Sequence, residues 1–486
     1  MWNIQSVSFP RCLVATVATS AFFSIPTFAS AEGGSAIGQV DSLMQLYVRQ
    51  SAIPSLTYAI VQDGKVVHAR SFGYSDLENR VSATRASRYE IGSMTKQFTA
   101  AGIFLLQQEG KLSIEDRLDK HLKNLPDAWK SLTIHQCLSH TAGLKDYLAT
   151  FSALRTDPVA TDEIIKRMGT MALDFTPGSA WSYSNTGYLL MSQVIEAKSG
   201  QKYPQFLTER FFKPLGMTST STSDPDTVIP NRARPYAWTG KGYTNRPVIN
   251  PSLAKGAGEL VSTVDDLTKW ANELDHPKIL KPESVAAMQT AFVFNNGRKA
   301  GYGTGFFLHR DRGREIIEHG GNTTGMSSEI FRVPSKNLTM IVLTNSAGLA
   351  PAQACRQALG VLDPSWNPLL RAETDPNERR SLELMVTFRK WARGNFDNSA
   401  FSPEMMSMLN TTRGLAVRQA FQIFGKMAKT YRYLDGEDYD GHRFDRYAMQ
   451  IGAVEVPLEF EFDANGKVVS MEQIHAPVLK VSTRKQ

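Results

Sequence analysis

Ser93 and Lys96 stand three residues apart in Ser93-Met94-Thr95-Lys96, a spacing that brings two side chains together on one helix face. A serine hydroxyl becomes an effective nucleophile when a neighbouring base takes its proton, and a lysine held in a dry pocket sheds its charge readily enough to be that base. The flanks agree with this reading. Tyr89-Glu90-Ile91-Gly92 suits an extended approach with a tight glycine entry, and Gln97 to Leu106 is apolar enough for a buried helix. Ser93 then falls at a helix N-terminus, where its own backbone N–H is free to face a developing oxyanion. Two common residues at this spacing carry little weight alone, and two further segments supply the rest.

Trp181-Ser182-Tyr183-Ser184-Asn185-Thr186-Gly187-Tyr188 follows a turn signal at Pro177-Gly178, and Tyr183 and Asn185, two apart in a segment that reads as non-helical, point the same way. A phenol beside a lysine ammonium exists partly as phenolate and relays a proton, while an asparagine amide donates to a substrate carbonyl and accepts from a lysine at once. The third segment, Ile316 to Gly325, has a short strand-like lead into His319-Gly320-Gly321-Asn322. Its two glycines remove side chains where a substrate backbone would lie beside the strand.

In this order the three segments resemble the signature of the serine β-lactamase and penicillin-binding protein superfamily: a Ser-x-x-Lys helix, a Ser/Tyr-x-Asn loop and a Lys/His-x-Gly strand. Tyrosine in the second segment is similar to the branch that holds class C β-lactamases, D-alanyl-D-alanine carboxypeptidases, D-aminopeptidases and related esterases. Leu138 to Leu144, Pro214 to Met217, Gly256 to Leu260 with Ser262 to Leu267, and Tyr302 to Gly305 agree with that branch. The resemblance runs from about Val40 to Leu362. It implies an α/β (α+β) fold in which an antiparallel sheet is flanked by helices, with a helical subdomain and the site at the seam.

The resemblance also implies roles. Ser93 is the acylated nucleophile, Lys96 its proton acceptor, and Tyr183 the general acid or base of acylation and deacylation. Whether Lys96 or Tyr183 takes the first proton stays open. Asn185 orients the acyl side chain of the substrate and Lys96, and Gly320, Gly321 and Asn322 line the substrate strand. The oxyanion hole is the backbone N–H of Ser93 and that of Asn322. His319 departs from the lysine of class C β-lactamases, and a partly charged histidine makes carboxylate recognition weaker or pH-dependent. The resemblance therefore implies a serine acyl hydrolase for D-amino-acid peptides, esters or related amides, a small molecule or short peptide in each case. A weak β-lactamase and a penicillin-binding sensor that is acylated without turning over are the alternatives. His140 is expected to be scaffold.

The elements that position these residues are legible in part. Leu56 to Ile60 and Val66 to Ser71 flank Asp63-Gly64 as a hairpin, and strand signals return at 305–309, 315–318, 327–333 and 338–344. Chain length calls for more than one core, among 486 residues. The expected division is 1–31, 36–362 and 363–486, the last an α+β accessory domain of two helical stretches, 376–393 and 403–425, and a meander of four strands from Ala428. Tyr431, Tyr433, Phe444, Tyr447, Phe460 and Phe462 are expected to fill its core rather than line a pocket.

Arg11, the apolar run Cys12 to Phe23 and Ala29-Ser30-Ala31 read as a secretory signal peptide, which places the mature protein in the periplasm or medium. No later stretch is long and apolar enough to span a bilayer. Of three cysteines, Cys137 and Cys355 remain after cleavage and are expected to be unpaired buried thiols. A net charge of +7 spread without basic runs supports no nucleic-acid partner. Neither metal-ligand spacing nor a cofactor motif occurs. Oligomeric state is not legible.

Overall fold

The computed structural model describes residues 27–28, 35–150, 157–311, 313–347, 351–371, 373–395, 398–409, 428–451, 454–473 and 478–479. Among them, residues 47–355 form one compact unit, and those before 47 together with those from 356 onward form a second. The signal-peptide reading falls on residues outside this description, apart from Thr27–Phe28, which pair in parallel with Val478–Leu479.

The first unit is built on a seven-stranded sheet. β1 (Ser55–Gln62) and β2 (Lys65–Asp76) form the expected hairpin, with Asp63 and Gly64 both at positive φ, 50° and 71°. That pair of left-handed residues matches the right-handed twist of the strands. β3 (Val81–Ser82), β4 (Phe307–Asp311), β5 (Arg314–Asn322), β6 (Ser327–Val333) and β7 (Leu338–Thr344) complete the order β4-β5-β6-β7-β1-β2-β3. All neighbours are antiparallel, and β7 pairs with β1 from Leu338↔Gln62 to Thr344↔Leu56. β6 and β7 are buried at every position, so both sheet faces are covered there; β7 is accordingly largely apolar, while β6 buries Ser327, Ser328, Glu329 and Arg332 as well.

The chain between β3 and β4 is largely helical. α1 (Thr95–Gln108) is buried from Thr95 to Leu106, which explains a sequence apolar on all sides rather than along one stripe. It packs on α2 (Asn185–Ser199), and Phe98, Phe104, Leu106, Tyr188, Leu190 and Ile195 share one core. α2 stops at Gly200, which takes the left-handed conformation, φ 71°, that ends helices cheaply only at glycine. Cys137 and Cys355 are buried thiols outside any disulfide, and burial pushes the Cys137 thiol up to about 12.

The second unit carries a four-stranded antiparallel meander, β8 (Ala428–Tyr439), β9 (His442–Ile451), β10 (Val454–Phe462) and β11 (Val468–Gln473). α3 (Glu378–Ala392) and the helix Pro403–Leu409 pack on it; the remainder of the expected second helical stretch, 410–425, lies outside the described residues. Tyr433, Tyr447, Phe460 and Phe462 fill this core, with Phe388 and Phe460 edge to face at 5.7 Å, as expected of core rather than pocket aromatics. Arg446, 2% exposed, meets Asp435, Glu437 and Glu459 at 2.9, 2.6 and 2.7 Å, so its buried charge is matched on every side.

β5 is clamped onto the turn that carries Ser93. Ser328 Oγ on β6 donates to the Ile91 carbonyl at 2.8 Å, and a Cβ added to Gly321 would fall 1.8 Å from that same oxygen. Gly321→Ala should therefore force strand and turn apart, lowering stability by about 2 kcal/mol, visible as a depressed thermal midpoint together with lost reactivity at Ser93.

Candidate active site

Ser93 lies in a single 3-10 turn, Gly92–Met94, between the short strand Tyr89–Glu90 and α1. Gly92 has φ +50°, and a Cβ there would sit 2.8 Å from the backbone nitrogen of Asn322. Only a residue without a side chain lets the end of β5 lie this close to the nucleophile turn. The backbone of Asn322 thus comes beside the segment that bears Ser93, and its Oδ1 accepts from Ser327 Oγ at 2.9 Å.

Lys96 is fully buried one turn on. Its Nζ lies 3.1 Å from Ser93 Oγ, 2.8 Å from Asn185 Oδ1 and 2.8 Å from the Ala257 carbonyl. The last two atoms only accept, so a neutral amine can keep both bonds and turn its lone pair to the serine hydroxyl. Burial lowers the Lys96 pKa to about 7, against the opposing pull of Asp146 and, after it, Glu259. A buried lysine poised at that value can exchange a proton with a hydroxyl in either direction.

Tyr183 packs over the same amine, its ring centroid 4.8 Å from Nζ. Burial raises its pKa, more than the hydrogen bond with Ser93 lowers it. The resting side chain is a phenol, which corrects the partial phenolate read from the sequence; burial, and after the opposing Ser93 bond the charge of Asp146, disfavour the phenolate. His140 supports it: the two rings pack tilted at 35° with centroids 4.3 Å apart, and His140 Nδ1 accepts from the Ser184 N–H at 3.1 Å. Trp181, Tyr188 and Tyr302 close the aromatic packing around His140.

Asn185 is the first residue of α2 rather than part of a non-helical segment, because Ser184 (φ −141°, ψ 122°) makes the extended entry and the chain coils immediately after it. Its amide is held at both ends. Oδ1 accepts from Lys96, while Nδ2 donates to the Asp146 carboxylate at 3.1 and 3.2 Å. Asp146 also accepts the Asn185 backbone N–H at 3.2 Å, and it is a site residue that the motifs did not reveal. Its place directly after Gly143-Leu144-Lys145 was the available signal, and only the fold brings it to Asn185.

His319 overturns an expectation. It is 1% exposed, its Nδ1–H donates to the Gly320 carbonyl at 2.7 Å, and its Nε2 accepts from Tyr302 Oη at 3.0 Å. Burial first, and the nearby Lys96 second, lower its pKa to about 3, so it is a neutral imidazole across the physiological range and no titrating cation. Gly320 and Gly321 also differ from expectation. The space their missing side chains leave is taken by Glu329 Oε2 (2.7 Å from a Cβ on Gly320) and by the Ile91 carbonyl, atoms of the protein itself. Among the described residues no cluster of three or more His, Cys, Asp or Glu could hold a metal ion.

A part-exposed serine over a buried lysine and asparagine, beside a tyrosine and between an antiparallel sheet and a helical layer, defines a serine hydrolase of the β-lactamase and penicillin-binding protein fold. The family model described as Beta-lactamase matches residues 40–362, and the chain belongs to that family. It is 30% identical over 312 residues to penicillin-binding protein 4* of Bacillus subtilis, covering 60% of this chain and 67% of that protein. The octameric penicillin-binding protein homologue of Pyrococcus abyssi superposes with a TM-score of 0.62 at 22% identity, over 88% of this chain and 97% of the other. The D-amino acid amidase of Ochrobactrum anthropi superposes with a TM-score of 0.61 at 24% identity, over 68% and 99%. No helix among the described residues is long and apolar enough to cross a membrane.

Because His319 is already neutral, His319→Gln should leave the midpoint of any pH–rate profile between pH 5 and 8 unmoved while lowering the rate through altered packing. A midpoint that disappears in this variant would restore the histidine to the titrating role.

Proposed function

We propose that the protein is an acyl hydrolase that works through an ester on Ser93, with D-amino-acid peptides, amides and esters as its substrate class. The observation that carries this is the three-way seat of Lys96 Nζ, which leaves its lone pair for Ser93 Oγ. Neutral Lys96 takes the Ser93 proton as Oγ attacks the substrate carbonyl carbon, and the oxyanion develops between the backbone N–H groups of Ser93 and Asn322. As the intermediate collapses, the carbonyl reforms and Tyr183 gives its phenolic proton to the leaving nitrogen or oxygen, regaining one from Lys96. Water then repeats the sequence on the ester, releasing the acid and restoring Ser93. Lys96 in this scheme takes the first proton, since the buried phenol is the poorer base.

Two features favour amides and esters over substrates read by a free carboxylate. His319 offers no charge where a lysine would offer a fixed cation, and the fold is shared with an enzyme described as a D-amino acid amidase. Carboxylate-bearing β-lactams are accordingly the poorer substrates. The apolar run and small residues of the first 31 positions support action outside the cytoplasm after cleavage.

The test is hydrolysis of D-alanyl p-nitroanilide, a p-nitrophenyl ester and a chromogenic β-lactam, with intact mass followed in parallel. Turnover of the anilide or ester without a lasting adduct supports the proposal; a stable adduct on Ser93 without turnover moves the protein to the trapping, penicillin-binding reading. Ser93→Ala should abolish both adduct and turnover, and Tyr183→Phe should lower kcat by about 10²- to 10⁴-fold with the fold intact. The rate should rise with pH through about 7 as Lys96 loses its proton.

A further inference from the structure

Glu259 is a buried carboxylate that none of the steps above uses. It is 3% exposed, its Oε1 accepts the Gly256 N–H at 3.1 Å, and its Oε2 has no hydrogen-bond partner among the described residues. The segment it belongs to wraps the nucleophile turn. Ala257 gives its carbonyl to Lys96 Nζ, Gly256 gives its carbonyl to Thr99 Oγ1 at 2.7 Å, and Leu260 accepts the Ile91 N–H at 2.9 Å. Gly258 lies close enough to Gly92 that an added Cβ would touch its carbonyl carbon at 3.5 Å. The carboxylate is bonded to Gly256, next to the residue whose carbonyl Lys96 grips, and with both groups buried its charge is felt at the amine with little solvent screening.

We propose that Glu259 is a positioning residue that sets the charge state of Lys96, by standing as a buried counter-charge behind it and by fixing the loop that offers the Ala257 carbonyl. This rests on the Ser93–Lys96 reading above and extends it. The groups around the pair are few. Lys96 faces Asp146, Glu259, the rings of Tyr183 and Tyr188, and the neutral His140 and His319. Glu259 faces Lys255, Tyr147 and Tyr203 besides Lys96. Burial raises the Glu259 pKa to about 7, against the backbone N–H groups and Lys255 that hold it down. Lys96 and Glu259 thus change charge over the same pH range, and each opposes the discharge of the other.

The sign follows. A carboxylate beside Lys96 favours the ammonium, so removing it lets the lysine become a base at lower pH. The readout is the rate at which a fluorophosphonate probe labels Ser93 as a function of pH, which needs no deacylation. Wild-type labelling that survives in Ser93→Ala would sink the underlying Ser93 assignment and leave Glu259 without a role. With that labelling secure, Glu259→Gln should move the midpoint of the profile down by about half a pH unit or more. A folded Glu259→Gln variant with the midpoint unmoved and only a lower plateau would mean a structural loop clamp and overturn the proposal. A second measurement does not depend on that variant folding. Coupling is reciprocal, so Lys96→Met should raise the pH at which the buried carboxylic-acid carbonyl band of Glu259 disappears in difference infrared spectra; the same titration with and without Lys96 would equally overturn it.

Discussion

The site depends on one amine held away from water. Lys96 has no solvent to carry its charge, so its charge state is fixed by what surrounds it: two acceptors at 2.8 Å, a serine at 3.1 Å, and two carboxylates farther off. A charged ammonium in so dry a place is expensive and a neutral amine is affordable, which is why the group stands near its balance point. Much else in the unit serves that placement. α1 is buried nearly throughout, α2 begins at the asparagine that meets the amine, and the loop that carries Ala257 turns at Gly256, where an added Cβ would fall 2.3 Å from the Tyr188 carbonyl oxygen.

Desolvation also explains the neighbours. The same low dielectric that discharges Lys96 keeps Tyr183 a phenol and His319 an imidazole, so the site holds few permanent charges at its centre. Carboxylates are set one layer back, where Asp146 fixes Asn185 through two of its polar groups. Such layering orients the reacting atoms through neutral hydrogen bonds and leaves the electrostatic bias to groups that substrate need not touch.

How much of this was legible in the sequence differs by residue. β6 and β7 appear at 327–333 and 338–344 as their strand signals indicated, and the Asp63-Gly64 turn fixed the first hairpin. Ser93, Lys96, Tyr183 and Asn185 meet as their motifs implied. What failed concerns burial, which spacing does not encode. His319 was assigned a solution-like pKa because nothing in His-Gly-Gly says that Tyr302 and the sheet will exclude water from it. Gly320 and Gly321 looked like room for a ligand, because a missing side chain does not tell which atoms take the space. Asp146 and Glu259 are single acids in loops, and only contacts between residues 39 and 163 positions apart in the chain give them meaning.

The strand order has a consequence for how the molecule comes into being. β1, at the start of the unit, has as its sheet neighbour β7, the last strand of the unit, and the end of β5 closes against Gly92 from more than two hundred residues away. A nascent chain therefore holds Ser93 and Lys96 at the start of a helix with no sheet behind them, exposed to water that keeps the lysine charged and the serine inert. Long-range closure of this kind is slow relative to helix formation. Reactivity arrives only when the final strand docks, so the order in which the polypeptide emerges acts as a safety catch on its own nucleophile.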